Sequence, residues 1–127
     1  MKATVLDASA LLALLQEEPG GSEVEAVLPG SAISTVNLAE VVGKLSDGGM
    51  PEEAIRTAVG SLGLEIVPFE EEMSYRAGLL YSSTHRRGLS LGDRACLALA
   101  IHLNRSALTA DRSWSRLKLG VAVQPIR

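Results

Sequence analysis

Short apolar segments typical of β-strands alternate with helical segments along the whole chain, and this alternation restricts the fold more than any other sequence feature. The predicted strands are residues 4–6, 32–34, 64–67, 106–109 and, as a fifth, 121–123. The predicted helices are residues 8–16, 22–28, 35–45, 70–83 and 91–103, a helix that begins at Pro51 and a short one at 112–117. Strands that alternate with helices form a parallel sheet with helices on both faces. We therefore predict an α/β fold, a three-layer α/β/α sandwich around a central parallel sheet of four to five strands.

The 127 residues are the length of one ordinary domain, and a hydrophobic fraction of 46% is enough for one packed core. We expect a single domain over residues 1–127. The longest mostly apolar stretch, residues 8–15, is too short to cross a bilayer, and no signal-peptide pattern precedes it. Cys96 is the single cysteine, which is typical of a reducing compartment. The expected location is the cytoplasm, without membrane contact.

Charge is distributed unevenly between the two parts of the chain. Residues 1–75 carry three basic and thirteen acidic side chains, whereas residues 76–127 carry nine basic and two acidic ones. Such asymmetry indicates either a polyanionic partner for the basic part or a basic partner for the acidic part. Solvated helix faces of different sign would produce the same pattern, so charge alone leaves both interpretations open.

Four acidic residues lie at positions that the predicted topology brings to one edge of the sheet. Asp7 directly follows the first strand, and Asp111 follows the fourth strand by two residues. Glu40 and Asp93 lie near the beginnings of two predicted helices. In open α/β sheets the functional site lies beyond the carboxyl ends of the strands. The four carboxylates are therefore predicted to converge there.

Each acid also has an ordinary structural explanation. Asp7 and Asp111 are suited to capping the helices that follow them. Ser90 and Asp93 have the spacing of a capping box in its acidic form. Glu40 and Lys44 have the i,i+4 spacing of a helical ion pair. Capping does not require four acids at one sheet edge, however, and their common position favours a site.

Carboxylates without histidine or cysteine neighbours favour hard cations, so Mg²⁺ or Mn²⁺ is the predicted cofactor. Neither histidine has the spacing of a transition-metal motif. A divalent ion at such a site acidifies a bound water and neutralises charge on a phosphoryl oxygen, which suits phosphodiester hydrolysis. The hydroxyl and amide groups close to the acids in sequence are candidate supporting groups: Ser9, Asn37 and Thr109.

Four sequence motifs resemble those of the PIN-domain nucleases, and in particular the VapC type of toxin from bacterial toxin–antitoxin pairs. In chain order the motifs are residues 5–11, 34–41, 89–100 and 108–114. The resemblance implies a three-layer α/β/α fold, dependence on Mg²⁺ or Mn²⁺, and endonucleolytic cleavage of RNA. It implies an acidic site with two supporting hydroxyls, formed by Asp7, Glu40, Asp93, Asp111, Ser9 and Thr109.

The resemblance also implies partners. It predicts inhibition by a cognate antitoxin protein and, as in most such toxins, a homodimer. We expect an antitoxin segment with an Arg or Lys to dock on the acidic helices between residues 19 and 62 or to reach into the acid cluster. Phosphate contacts to RNA are predicted for four arginines, Arg86, Arg87, Arg94 and Arg112. The alternative is a catalytically silent PIN-like module that only binds RNA or protein.

Overall fold

The computed structural model describes residues 3–127, which form a five-stranded sheet in which every neighbouring pair of strands is parallel. The spatial order of the strands is β3-β2-β1-β4-β5. Their bounds are β1 Val5–Leu6, β2 Ala32–Ser34, β3 Glu65–Val67, β4 Ala107–Thr109 and β5 Val123–Pro125. The predicted parallel α/β fold is confirmed.

Helices connect the strands. The α-helices in residues 3–127 are α1 Ala8–Leu15, α2 Gly21–Val27, α3 Thr35–Asp47, α4 Glu52–Gly60, α5 Glu71–Leu79, α6 Tyr81–Thr84 and α7 Leu91–Leu103. Short 3₁₀ helices cover His85–Arg87 and Arg112–Arg116. Within the described residues, no helix is long and apolar enough to cross a membrane.

Alternating strand residues divide the interior into two hydrophobic cores. Leu6, Ile33 and Leu108 belong to a core that also contains the buried residues of α1 to α4. Val5 and Ala107, the preceding residues of β1 and β4, belong to a second core with α5 and α7. Successive side chains of a strand point to opposite faces of the sheet, so each core lies on its own face. The structure therefore has three layers.

The strand order determines where a site can form. From β1 the chain proceeds to β2 and β3 on one side of the sheet, and then returns to place β4 and β5 on the other side of β1. Ligand sites of open α/β sheets lie at such a reversal, outside the carboxyl ends of the strands. Here the reversal lies between β1 and β4, which end at Leu6 and Thr109.

Two predicted segments differ from the structure. The helix expected over residues 70–83 is interrupted at Leu80, because the carbonyl of Ala77 accepts hydrogen bonds from Leu80 N and from the Arg94 side chain. The fifth strand, expected at 121–123, is Val123–Pro125, because β5 pairs with β4 in the register Ala107 with Val123. Pro125 is compatible with a strand here because β5 lies at the edge of the sheet.

Candidate functional site

Asp7 directly follows β1, and its carboxylate accepts hydrogen bonds from three donors. It caps α1, and its Oδ1 accepts hydrogen bonds from Ala10 N (2.8 Å) and Ser9 Oγ (2.7 Å). Its Oδ2 accepts a hydrogen bond from Thr109 Oγ1, at the end of β4, at 2.5 Å. Its relative exposure is only 5%. The carboxylate therefore has one fixed orientation at the end of β1.

The same hydroxyls position the chain that carries Asp111. Thr109 Oγ1 accepts a hydrogen bond from Asp111 N (3.0 Å), and Ser9 Oγ accepts one from Ala110 N (2.9 Å). The Asp111 side chain caps the 3₁₀ helix through Oδ1, which accepts hydrogen bonds from Ser113 N and Ser113 Oγ. The Asp111 carboxylate is thereby held next to the end of β4.

Glu40 is directed towards the beginning of α7 by Asn37. The buried Asn37 Nδ2 donates to Glu40 Oε1 (3.0 Å) and to the carbonyl of Gly92 (2.9 Å). The Glu40 carboxylate lies so close to Gly92 that a Cβ at this position would be 2.6 Å from Glu40 Cδ. Asn37 thus joins α3 to the first turn of α7. The Glu40 carboxylate is held against Gly92, the residue that precedes Asp93.

Asp93 forms the capping box that its spacing predicts. Ser90 Oγ accepts a hydrogen bond from Asp93 N (3.1 Å), and Asp93 Oδ2 accepts one from Ser90 N (2.9 Å). The N-terminus of α7 carries a partial positive charge that favours a carboxylate in the first turn. Asp93 is half-buried there.

One cavity of about 290 Å³ is bordered by all four carboxylates. Its lining residues are Asp7, Ala8, Ser9, Leu12, Asn37, Glu40, Lys44, Asp93 and Asp111. The structure therefore brings together the four acids and two of the three predicted supporting residues. Thr109 is buried behind them and acts through its hydrogen bond to Asp7.

The acids influence one another electrostatically. The pKa of Asp7 is raised, mainly because the carboxyl group is buried. The hydrogen bonds from Thr109, Ala10 and Ser9 lower this pKa, and the negative charge of Asp93 raises it further. Burial also raises the pKa of Cys96 on α7, and the charges of Asp7, Asp93 and Glu40 raise it further. Cys96 is fully buried, so it is a packed thiol rather than a nucleophile.

The oxygens around the cavity fit a divalent cation that keeps part of its water shell. The donors in residues 3–127 engage only one oxygen each of Glu40, Asp93 and Asp111, so a second oxygen of each is free. The buried Asn37 Oδ1 has no hydrogen-bond partner among the described residues. No group of three or more Asp, Glu, His or Cys side chains in that part of the chain is arranged to hold a metal directly. Mg²⁺ commonly binds through one or two carboxylates and retains several waters, which fits this geometry.

The four predicted arginine contacts do not border the cavity. Arg94 donates to the carbonyl of Ala77 and packs over the ring of Tyr81, 5.3 Å from its centroid. Arg112 donates through Nε to the carbonyl of Arg127. Arg86 and Arg87 are exposed on the 3₁₀ helix between α6 and α7. Proximity in sequence to Asp93 and Asp111 therefore does not direct a guanidinium into the site.

Sequence reasoning missed two features of the site. Lys44 borders the cavity, and no ion pair within residues 3–127 joins it to Glu40 as their spacing predicts. Gly92 leaves the space that the Glu40 carboxylate occupies. A glycine inside a helix costs stability relative to alanine, so its presence in the first turn of α7 was a usable signal of close approach.

Comparisons with known proteins agree with this architecture. Residues 4–119 match the model of the PIN domain family. Similar solved structures include a toxin–antitoxin complex from Klebsiella pneumoniae, with TM-score 0.78, 20% identity and 98% of each chain covered. Another is DNA-bound VapBC from Salmonella typhimurium, with TM-score 0.75, 16% identity and 100% of each chain covered. No curated protein matches the chain in a sequence comparison. The family match covers most of the sequence, and the chain belongs to the PIN domain family.

Proposed function

We propose that this chain is a Mg²⁺- or Mn²⁺-dependent endoribonuclease and the toxin of a toxin–antitoxin pair of the VapC type. The observation that carries the proposal is the position of four carboxylates from four separate segments around one cavity. Membership of the PIN domain family supports nuclease activity. The similarity to structures described as toxin–antitoxin and VapBC complexes supports the toxin assignment. The sequence motifs support RNA as the substrate.

The proposed roles follow from the hydrogen bonds of each acid. One or two of the free oxygens of Glu40, Asp93 and Asp111 would bind the cation directly. The remaining carboxylates, including the buried Asp7, would contact it through its retained waters. When bound, a divalent ion supplies charge stabilisation of the phosphoryl oxygens and acidifies a water. Thr109 and Ser9 would keep Asp7 in one orientation, and Asn37 would keep Glu40 directed towards α7. A site positioned in this way is preorganised for phosphodiester hydrolysis.

An apolar groove between α3 and α4 supports an antitoxin as partner. The groove has a volume of about 530 Å³ and is lined by Leu38, Val42, Ser46, Glu52, Ile55, Arg56, Val59, Gly60 and Ile66. It lies within the acidic part of the chain, as expected for the antitoxin surface. We propose that an amphipathic antitoxin segment places its apolar side chains in this groove and a basic side chain near the acids.

A homodimer in the cytoplasm completes the proposal. Exposed large hydrophobic side chains occur on α5, α6 and α7, namely Tyr75, Leu79, Tyr81 and Leu91. Exposed large hydrophobic side chains are typical of protein interfaces when they form one surface, and we propose that a second copy of the chain covers these. Arg86 and Arg87 on the exposed 3₁₀ helix are proposed as phosphate contacts outside the cavity. Arg94 and Arg112 are weaker candidates, because each guanidinium already donates to a backbone carbonyl.

Cleavage of RNA by the Asp111→Asn and Asp93→Asn variants tests the nuclease proposal. Asparagine keeps a side-chain oxygen that can accept the capping hydrogen bond but removes the charge. We expect wild-type protein to cut RNA in Mg²⁺ or Mn²⁺ and to stop after chelation. Both variants should lose at least about a hundredfold in rate while their free energy of unfolding changes by less than about 1 kcal/mol.

Asp47→Asn is the matched control, because Asp47 is an exposed acid at the end of α3 that does not border the cavity. This variant should cut RNA at the wild-type rate. Wild-type protein that binds RNA but does not cut it with either metal would contradict the nuclease and favour the silent binding module. Equal cleavage of DNA would contradict the assignment to RNA alone.

A further inference from the structure

Lys44 is the single basic side chain among the residues that line the cavity. It lies in the last turn of α3, one helical turn after Glu40, and is exposed to solvent. Within residues 3–127 it forms no ion pair, although four carboxylates border the same cavity. Its ammonium group is therefore available to a ligand.

The contacts of Glu40 direct its carboxylate towards α7. Asn37 donates to Glu40 Oε1, and the Glu40 carboxylate packs against Gly92 at the beginning of α7. In this position Glu40 forms no ion pair with Lys44 within residues 3–127. An exposed i,i+4 pair contributes only about 0.3–0.5 kcal/mol, which is less than a typical hydrogen bond to a charged group, so the contact with Asn37 is the stronger of the two.

We propose that Lys44 binds a phosphate of the RNA at the cavity, as a substrate-binding residue. This inference rests on the proposed ribonuclease function. A polyanion that approaches four carboxylates is repelled, and a cation at the rim reduces that repulsion. The guanidinium of Arg94 is engaged with α5 and that of Arg112 with the end of the chain, so neither supplies the charge. A lysine is a mobile point charge and is well suited to a phosphate.

The experiment compares Lys44→Gln and Lys44→Arg with Lys118→Gln, an exposed lysine that does not border the cavity. Rates of cleavage of a labelled single-stranded RNA give kcat and KM over a range of KCl and Mg²⁺ concentrations. Anisotropy of the same RNA measures binding to Asp111→Asn with and without Lys44→Gln, in the absence of efficient cleavage.

Lys44→Gln should raise KM and weaken binding about fivefold, with kcat changed less than about twofold. The slope of log affinity against log salt should become shallower by about 0.7, the value for one phosphate contact on a single strand. Lys44→Arg should restore most of the affinity, because it keeps the charge. Lys118→Gln should behave as wild type in every measurement.

Unchanged affinity and salt slope in Lys44→Gln, with a wild type that cuts RNA, would overturn the role of Lys44 and leave the nuclease intact. A lowered Mg²⁺ requirement with unchanged KM would also overturn it, since Lys44 would then be a counter-ion of the acids. A wild type that does not cut RNA overturns the proposed function and this inference together.

Discussion

Replacing Gly92 by alanine tests whether the position of Glu40 matters to the site rather than to the fold. Gly92 is buried in the first turn of α7. An alanine Cβ there would lie 2.6 Å from Glu40 Cδ and closer still to both carboxylate oxygens. The Glu40 side chain is long and exposed, so its carboxylate can move towards solvent without a shift of the backbone. Gly92→Ala is therefore expected to displace one acid while leaving all four in the sequence.

The expected change in stability is modest because two effects oppose each other. Alanine favours a helix over glycine by up to about 1 kcal/mol. Loss of the hydrogen bond from Asn37 to the charged Glu40 carboxylate costs about 1.5–3 kcal/mol. The bond from Asn37 to the Gly92 carbonyl is unaffected by a Cβ. The free energy of unfolding should therefore stay within about 2 kcal/mol of wild type.

The expected change in activity is large. A misplaced group next to a metal typically lowers metal affinity or rate by about 10–100-fold, and we expect a loss of this size in RNA cleavage. A raised Mg²⁺ requirement should accompany it, because Glu40 would no longer border the cavity. Urea unfolding and cleavage rates over a Mg²⁺ titration measure the two effects separately.

Gly78→Ala provides the control, because Gly78 is also helical and an added Cβ there meets no atom within 4 Å. This variant should be stabilised by up to about 1 kcal/mol and keep full activity. Full activity of Gly92→Ala would refute the role assigned to the Glu40 position. A loss of more than about 3 kcal/mol in stability would refute the view that only a side chain has to move.

Two further predictions concern Asp7 and the groove. The raised pKa of Asp7 contributes stability that is present below the unfolded pKa, near 3.9, and is lost as pH rises through the folded pKa. In urea unfolding of the metal-free protein, the free energy of unfolding of Asp7→Asn should therefore exceed that of wild type by an amount that is small at pH 3 and grows as pH rises. A difference that does not change with pH would contradict this. Val42→Asp in the α3–α4 groove should weaken binding of the cognate antitoxin about tenfold in calorimetry without slowing RNA cleavage, whereas Ala54→Asp, exposed on α4 outside the groove, should have no effect.

The architecture could be predicted because it depends on local patterns that the sequence contains. Apolar strand segments, helices between them and an acid directly after a strand determine which residues reach the carboxyl edge. Asp7, Asp93 and Asp111 were predictable in position for the same reason. Each is attached to a helix beginning, and the backbone there leaves few orientations for the side chain.

The directions of Glu40 and Lys44 could not be predicted, because they depend on a contact between distant segments. Spacing alone favours an ion pair between them. In the structure Asn37 instead donates to Glu40 and to the carbonyl of Gly92. Gly92 lies 55 residues after Asn37 in the chain. The tertiary hydrogen bond from Asn37 to Gly92 holds the amide that donates to Glu40, and no helical pattern contains that information.

Capping and ligand binding are compatible uses of the same carboxylate. Asp93 and Asp111 each engage one oxygen with backbone donors and leave the other without a donor in the described residues. The capping bond restricts the side chain to one rotamer, so less conformational entropy is lost when the second oxygen binds a ligand. A capping pattern at such an acid is therefore no argument against a site, because the same bond that caps the helix also orients the carboxylate.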